Sequence, residues 1–501
     1  METHKKGFKM PNSFTILFIL TFIVAILTWI IPAGQYDLNE DKQFIAGTYQ
    51  MIERTPQGIW DFFAAPIYGM IGKEGTDGAI SVSLFILVVG GFLGVVTETG
   101  AINAGIATLI RKNRERVNLL IWGLMFLFAL GGSTYGMAEE TIAFYPLLIP
   151  VMVTVGMDAL VAVGVVLIGS GLGVLASTVN PFATGPASAM AGISMADGIF
   201  LRVIFFFAMY IVGAYYVSRY AKRVQENPKN SYIHHLMEAH RAKFKVDESV
   251  EELNKKQRIV LILFATTFVV MILGLIPWAK LFNVETCVFD DIHAALLSIP
   301  FVGDFIGKSS LALGQWYLTE ITMLFFAMSI VIAFVYRIKE DRFVTVFLDG
   351  MRDLLSVAMI CAVARGLQVV MNDGHITATI LHYGEVGLKG LSNGIFIVLT
   401  YLFYIPMSFL IPSTSGLAAA TMGIMAPLGD FAGVSKSLVI TAYQASCGVV
   451  NLLTPTSGVV MGALAIAGVE LTTWWKFMKK LVVVVVVISI ALLVLGAIAH
   501  L

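Results

Sequence analysis

Uninterrupted apolar runs such as Thr15–Ile31, Asp158–Ser177 and Leu481–Ala497 constrain this chain more than any other feature. A backbone carried through hydrocarbon must satisfy its own N–H and C=O groups, and a continuous apolar run of this length does so as a helix. The charge content agrees. Only 13% of residues are charged and 57% are hydrophobic, where a soluble chain carries about a quarter charged. The sequence therefore predicts an all-α polytopic membrane protein, with the bilayer as its first partner. Acidic and basic residues balance at 33 each, so nucleic acid is not an expected partner. Three scattered cysteines, Cys287, Cys361 and Cys447, imply no disulfide framework. No metal-ligand spacing or phosphate loop is present, and no cofactor is expected. His234 and His235 read as solvated residues of a polar loop.

The apolar sequence is interrupted in pairs. GGSTYGMAEETIAFYPLLIP, residues 131–150, opens on the small residues Gly131, Gly132, Ser133 and Thr134. It turns at Gly136, carries Glu139 and Glu140, and closes on Pro146 and Pro150. Broken polar backbone at membrane depth must be buried in protein or line a wet cavity, so this stretch reads as a re-entrant hairpin. Residues 411–428 repeat it: Ser413-Thr414, Gly416, Ala418 and Thr421 match Ser133-Thr134, Gly136, Ala138 and Thr141. A second pair of interruptions follows, at 177–186 (STVNPFATGP) and 452–458 (LLTPTSG), where prolines should break a helix. Broken segments at corresponding places in two halves point to a transporter binding site.

Basic residues set the orientation. Lys5, Lys6 and Lys9 place the N-terminus in the cytoplasm, ahead of a retained span at Thr15–Ile31. The run RKNRER (111–116) and the polar stretch Arg219–Arg258 are also cytoplasmic on this reading. Pro32–Gly78 and Pro277–Gly314 are outer loops, and the C-terminus is external. Matched spans then run in opposite directions, so the repeats are inverted. The division is 1–218 for the first repeat, 219–258 for a cytoplasmic linker, 259–315 for a linking span and external loop, and 316–501 for the second repeat.

Between the halves, Ser133, Thr134, Tyr135, Asn180 and Thr184 would face Ser413, Thr414, Ser415, Thr454 and Thr456. Helix N-termini there favour anionic groups, and freed carbonyls and hydroxyls can hold Na⁺ or an ammonium group. Glu139 and Glu140 align with Ala419 and Ala420, so acidity belongs to one hairpin only. A carboxylate at membrane depth costs about 2.5–3.5 kcal/mol on insertion scales and marks a functional site. One of the pair is expected to face the site and the other a structural partner. Arg365 is the candidate partner; Glu98, Asn372 and Asp373, at matched span ends, are further candidates for charge pairing or coupling. An acidic site with anion-binding helix ends suits a basic amino acid.

KKGFKMPNSFTILFILTFIVAILTWIIPAGQYD, the first hairpin, GVLASTVNPFATG, AVARGLQVVMNDG and PSTSGLAAATMGIMAPLGD together resemble the YfcC-type carriers. These are similar to the arginine/ornithine antiporters and are grouped with the anaerobic four-carbon dicarboxylate carriers. The resemblance implies the ion-transporter superfamily architecture. A scaffold domain dimerises, and a transport domain with both hairpins moves as an elevator in the inner (cytoplasmic) membrane. It leaves two substrate readings: a basic amino-acid exchanger, or a carboxylate symporter coupled to Na⁺ or H⁺ through Glu139 or Glu140. The superfamily's Ser-Asn-Thr triplets are replaced here by Ser133-Thr134-Tyr135 and Ser413-Thr414-Ser415.

Overall fold

The computed structural model describes residues 13–37, 45, 47–73, 76, 78–102, 104–105, 117–180, 182–243, 253–276, 278–279 and 284–499. Lys5, Lys6, Lys9, the RKNRER run, Pro181 and Leu501 lie outside the described residues, as do the side chains of Tyr135 and Ala419. The first half contains α1 (Ser13–Ile30), α2 (Ile59–Ile71), α3 (Ile80–Glu98), α4 (Val117–Tyr135), α5 (Tyr145–Thr154), α6 (Ala159–Ala176), α7 (Thr184–Ala191), α8 (Ile199–Glu226) and α9 (His234–Lys243). Next come α10 (Lys255–Leu275), α11 (Val288–Ser298), α12 (Val302–Ile306), α13 (Leu318–Tyr336), α14 (Glu340–Asp373) and α15 (Ile376–Leu388). The chain ends with α16 (Asn393–Leu410), α17 (Thr414–Phe431), α18 (Lys436–Asn451), α19 (Gly458–Ala467) and α20 (Leu471–Ile498). Among the described residues eight helices are long and apolar enough to cross a membrane.

Two stretches differ from the expectation. The presumed outer loop 32–78 holds a short antiparallel pairing, Gly34↔Met51 and Gln35↔Gln50, and then the apolar helix α2. At thirteen residues α2 is too short to be read as a span. The Asp61 carboxylate caps it by accepting the Gly58 N–H at 2.8 Å, and it packs along α14. Among its described residues the polar stretch from Arg219 is largely helical, because α8 continues to Glu226 and α9 follows. His234 and His235 therefore sit on a helix rather than in a loop.

The helices pack in two groups. In one, α14 lies along α2 and α3, with α1 and α13 beside them and α10 against α13. In the other, α6 packs on both α4 and α18, and α8, α16 and α20 enclose them. The share of buried residues separates core from periphery: 89% of α6 is buried, against 33% for each of α10, α13 and the most apolar part of α20. The outward faces of those three carry exposed Ile262, Phe334, Val483 and Val487, as a bilayer-facing surface should. The groups meet where α19 lies on α14, where residues 139–144 lie on α3, and where α15 touches α17.

Candidate functional site

The first hairpin bends later than its small residues suggest. α4 stays helical through Tyr135, so Gly131–Thr134 forms its last turn rather than a tip. The small residues serve close packing instead: a Cβ on Gly132 would lie 2.1 Å from the Ser170 carbonyl oxygen of α6. The Thr134 hydroxyl bonds back to Leu130 O at 2.7 Å. The turn is at Gly136, whose φ of 78° suits glycine. Glu139–Phe144 then forms a 3₁₀ segment. Ala138, at φ −134° and ψ −77°, is outside helical geometry, so Glu139 and Glu140 leave from the first turn of the 3₁₀ segment rather than from one side of an α-helix. Glu140 folds back to accept the Ala138 N–H at 3.0 Å.

The first hairpin is tied to the break of its own half, and the second to α18, the helix that ends at its break. Ser133 Oγ accepts the Thr178 N–H at 3.1 Å, and the Thr178 hydroxyl donates to Ser133 O at 3.2 Å. Asn180 Oδ1 accepts the Phe182 and Ala183 N–H groups at 2.8 and 3.3 Å, and its amide donates to Ser177 Oγ at 3.0 Å. In the second half Ser413 caps α17 by accepting the Gly416 N–H at 3.2 Å. The Tyr443 hydroxyl donates to Thr414 O at 2.5 Å, and Asn451 Nδ2 lies 3.4 Å from Thr414 Oγ1. Ser457 caps α19 by accepting the Val460 N–H at 3.3 Å.

These segments surround a cavity of about 560 Å³. Of the residues singled out from sequence, Glu139, Glu140, Asn180, Ser413, Thr414, Ser415, Thr456 and Arg365 line it. Glu139 and Glu140 are both lining residues, where one of the two was expected to face the site. Ser133, Thr134, Thr184 and Thr454 are not in its wall. Their hydroxyls bond within the hairpins and breaks, Thr184 Oγ1 to Ser177 O at 2.7 Å and Thr454 Oγ1 to Thr456 Oγ1 at 2.7 Å. Glu98, Asn372 and Asp373 are also elsewhere. Glu98 receives Arg342 Nε and Nη2, each at 2.7 Å. Asn372 donates to Thr76 Oγ1 at 2.8 Å. Asp373 receives Lys73 Nζ at 2.8 Å, and this bond holds the Lys73 ammonium above its ordinary range.

Sequence reasoning missed Phe182, Tyr317, Cys361, Asn451 and Ser457, which also line the cavity. Asn451 precedes an interruption and Ser457 lies within it, and both could have been found from that position. Phe182 and Tyr317, with ring centroids 5.1 Å apart, meet only through the fold. The charged groups of the wall are Glu139, Glu140 and Arg365. Arg365 and Glu139 are near enough for their charges to interact, yet form no ion pair with each other. The wall thus offers carboxylates to a cation, and a guanidinium plus the N-terminus of the eighteen-residue α17 to an anion. Among the described residues no group of three His, Cys, Asp or Glu could hold a metal ion.

The family model described as "DcuC: C4-dicarboxylate anaerobic carrier" matches residues 10–498. A Haemophilus influenzae protein described as uncharacterized is 28% identical, covering 98% of this chain and 97% of its own. An Escherichia coli protein named "Putative basic amino acid antiporter YfcC" is 27% identical, covering 93% of this chain and 92% of its own. Among solved structures the chain is similar to the YdaH transporter of Alcanivorax borkumensis. The TM-score is 0.46 at 14% identity, over 97% of this chain and 98% of that one. It is also similar to MtrF of Neisseria gonorrhoeae, from a class of antimetabolite efflux pumps. That TM-score is 0.43 at 16% identity, over 97% and 95% of the two chains.

Proposed function

The chain belongs to the C4-dicarboxylate anaerobic carrier family and is a membrane transporter, and on that premise we propose that it exchanges basic amino acids. The observation that carries the reading is the charge of one cavity wall: two carboxylates and one guanidinium. A basic amino acid carries the mirror image, two cations and one carboxylate. Glu139 and Glu140 take the cationic groups, and Arg365 with the α17 N-terminus takes the α-carboxylate. The name of the Escherichia coli relative supports the same class. A four-carbon dicarboxylate would add two negative charges to a wall already net negative. The family description and Arg365 favour that second reading, which requires Glu139 or Glu140 to carry a coupling H⁺ or Na⁺.

We infer a working cycle that the packing supports. The group around α14 is the scaffold, through which two copies associate. The group around α6 and α18, with both hairpins, is the transport domain and moves as an elevator. Support comes from the hydrogen bonds that tie the first hairpin to its break and the second to α18, and from the few places where the groups touch among the described residues. The recurrence of a break after α4 and α16, and again after α6 and α18, supports two repeats, inverted by the charge rule. The N-terminus and the segment carrying α9 are then cytoplasmic, the C-terminus external, and the membrane the cytoplasmic one.

Glu139→Gln and Glu140→Gln test the substrate class. Each keeps shape and removes charge, so binding of arginine and ornithine should fall by more than tenfold, while a neutral amino acid is little affected. If both variants bind basic amino acids as the parent does, the carboxylates are structural or coupling groups. Loss of ion-driven dicarboxylate uptake with retained dicarboxylate exchange would instead favour the symporter.

A further inference from the structure

Each break ends a helix at membrane depth and frees its last carbonyls. In transporters built from broken helices, such carbonyls and nearby hydroxyls coordinate the coupling cation. Here the freed carbonyls already face hydrogen-bond donors from other elements. At the first break, Gln444 reaches across from α18 of the second half. Its Nε2 donates to Ala176 O at 2.7 Å and lies 3.5 Å from Ser177 O. Thr184 Oγ1 closes the ring, 2.7 Å from Ser177 O and 2.8 Å from Gln444 Oε1. Ser177, Thr184 and Gln444 are each 1% exposed or less.

At the second break two adjacent indoles of α20 do the equivalent. Trp474 Nε1 donates to Leu452 O and Trp475 Nε1 to Leu453 O, both at 2.8 Å. The Thr454 and Thr456 hydroxyls pair with each other. A lone pair directed at an amide or indole hydrogen is not available to a cation in the same place. Withdrawing Gln444 to admit one would strand its buried amide without Ala176 O and leave the Thr184 hydroxyl with Ser177 O alone, which is costly.

We propose that the Gln444 side-chain amide occupies the position of a coupling cation at the first break. The Trp474–Trp475 pair closes the second, so the carrier turns over without Na⁺. The inference deepens the exchange reading and rests on the same hairpin-and-break site, but not on which substrate is exchanged.

The test uses the purified full-length protein, with no substrate, melted in NaCl and in choline chloride at equal ionic strength. The parent should melt at the same temperature in both. Gln444→Glu places a carboxylate opposite Ala176 O and Ser177 O, and should be stabilised by Na⁺ over choline in a saturable way. Gln444→Ala uncovers the same oxygens and should show a smaller Na⁺ shift, so the test survives if the first variant does not fold. Counterflow by the parent in proteoliposomes should be unchanged when choline replaces Na⁺ on both sides. A saturable Na⁺ shift in the parent, or counterflow lost without Na⁺, overturns the proposal. So does a lack of Na⁺ response in every folded Gln444 variant. A parent that ignores Na⁺ but does not exchange basic amino acids would overturn the substrate reading and leave this inference standing.

Discussion

The return leg of the first hairpin starts with a left-handed turn at Gly136 and a 3₁₀ segment bearing Glu139 and Glu140. The return leg of the second starts as the regular helix α17, capped by Ser413, with alanines at the matched positions. The frame is shared and the chemistry is not. The first hairpin gives the cavity wall negatively charged residues; the second gives it a helix N-terminus with hydroxyls. A site formed by two identical hairpins would suit a symmetric ligand. On the proposed reading this difference, with Arg365 also in the wall, gives the site groups for a cation and groups for an anion, which a zwitterion with a cationic side chain can fill.

The helices after the two breaks differ as well. α7 packs on α17 and α18 within its own group, whereas α19 lies on α14 of the other group. A Cβ at Gly458 would fall 2.6 Å from Cys361 Sγ. The largest expected effect follows from that contact. If α19 slides on α14 during transport, oxidising Gly458→Cys against the native Cys361 should abolish exchange, and reductant should restore it. Full exchange by the cross-linked protein would mean that the two groups do not move at this seam.

The carboxylates come next. Truncating one partner of a desolvated charge pair costs about 2–5 kcal/mol, so Glu139→Gln and Glu140→Gln should each weaken binding of a basic amino acid by more than tenfold. Unequal losses would show which of the two carries the contact. Equal binding by parent and variants would remove the chemical distinction between the hairpins.

What could be read from sequence followed local rules. Proline, glycine and hydroxyl residues inside apolar runs marked both breaks and the turn at Gly136, because backbone preferences act over a few residues. The cavity residues Glu139, Arg365, Asn180 and Ser413 were visible as polar groups where hydrocarbon was expected. The rest depended on packing. Gly131–Thr134 looks like a turn, yet it is the end of α4, because Gly132 is needed against the Ser170 carbonyl rather than for bending. Ser133, Thr184 and Thr454 look like ligands, but their hydroxyls fasten the breaks. Gln444 stands in the middle of an apolar helix, and no local signal says that it crosses to the other half.

Packing and capping supply the smaller tests. Gly132→Val adds atoms where a Cβ alone meets backbone, and overpacking costs about 1–3 kcal/mol. The melting temperature should drop without a change of substrate preference. No loss of stability would mean that this turn is a free tip after all. Ser413→Ala removes the cap of α17 and should cost about 0.5–2 kcal/mol, read as a modest loss of stability and of affinity. A loss as large as that of the carboxylate variants would mean that the second hairpin carries more of the binding than its neutral groups suggest.

The central claim is that the charges of one cavity select a basic amino acid for exchange, and counterflow tests it most directly. Proteoliposomes containing the parent protein would be loaded with ornithine and diluted into labelled arginine, with lysine, a neutral amino acid and a four-carbon dicarboxylate as competitors. The account predicts arginine uptake that requires internal ornithine, is blocked by lysine and is indifferent to the dicarboxylate. Uptake of the dicarboxylate, with arginine neither transported nor competing, would contradict it.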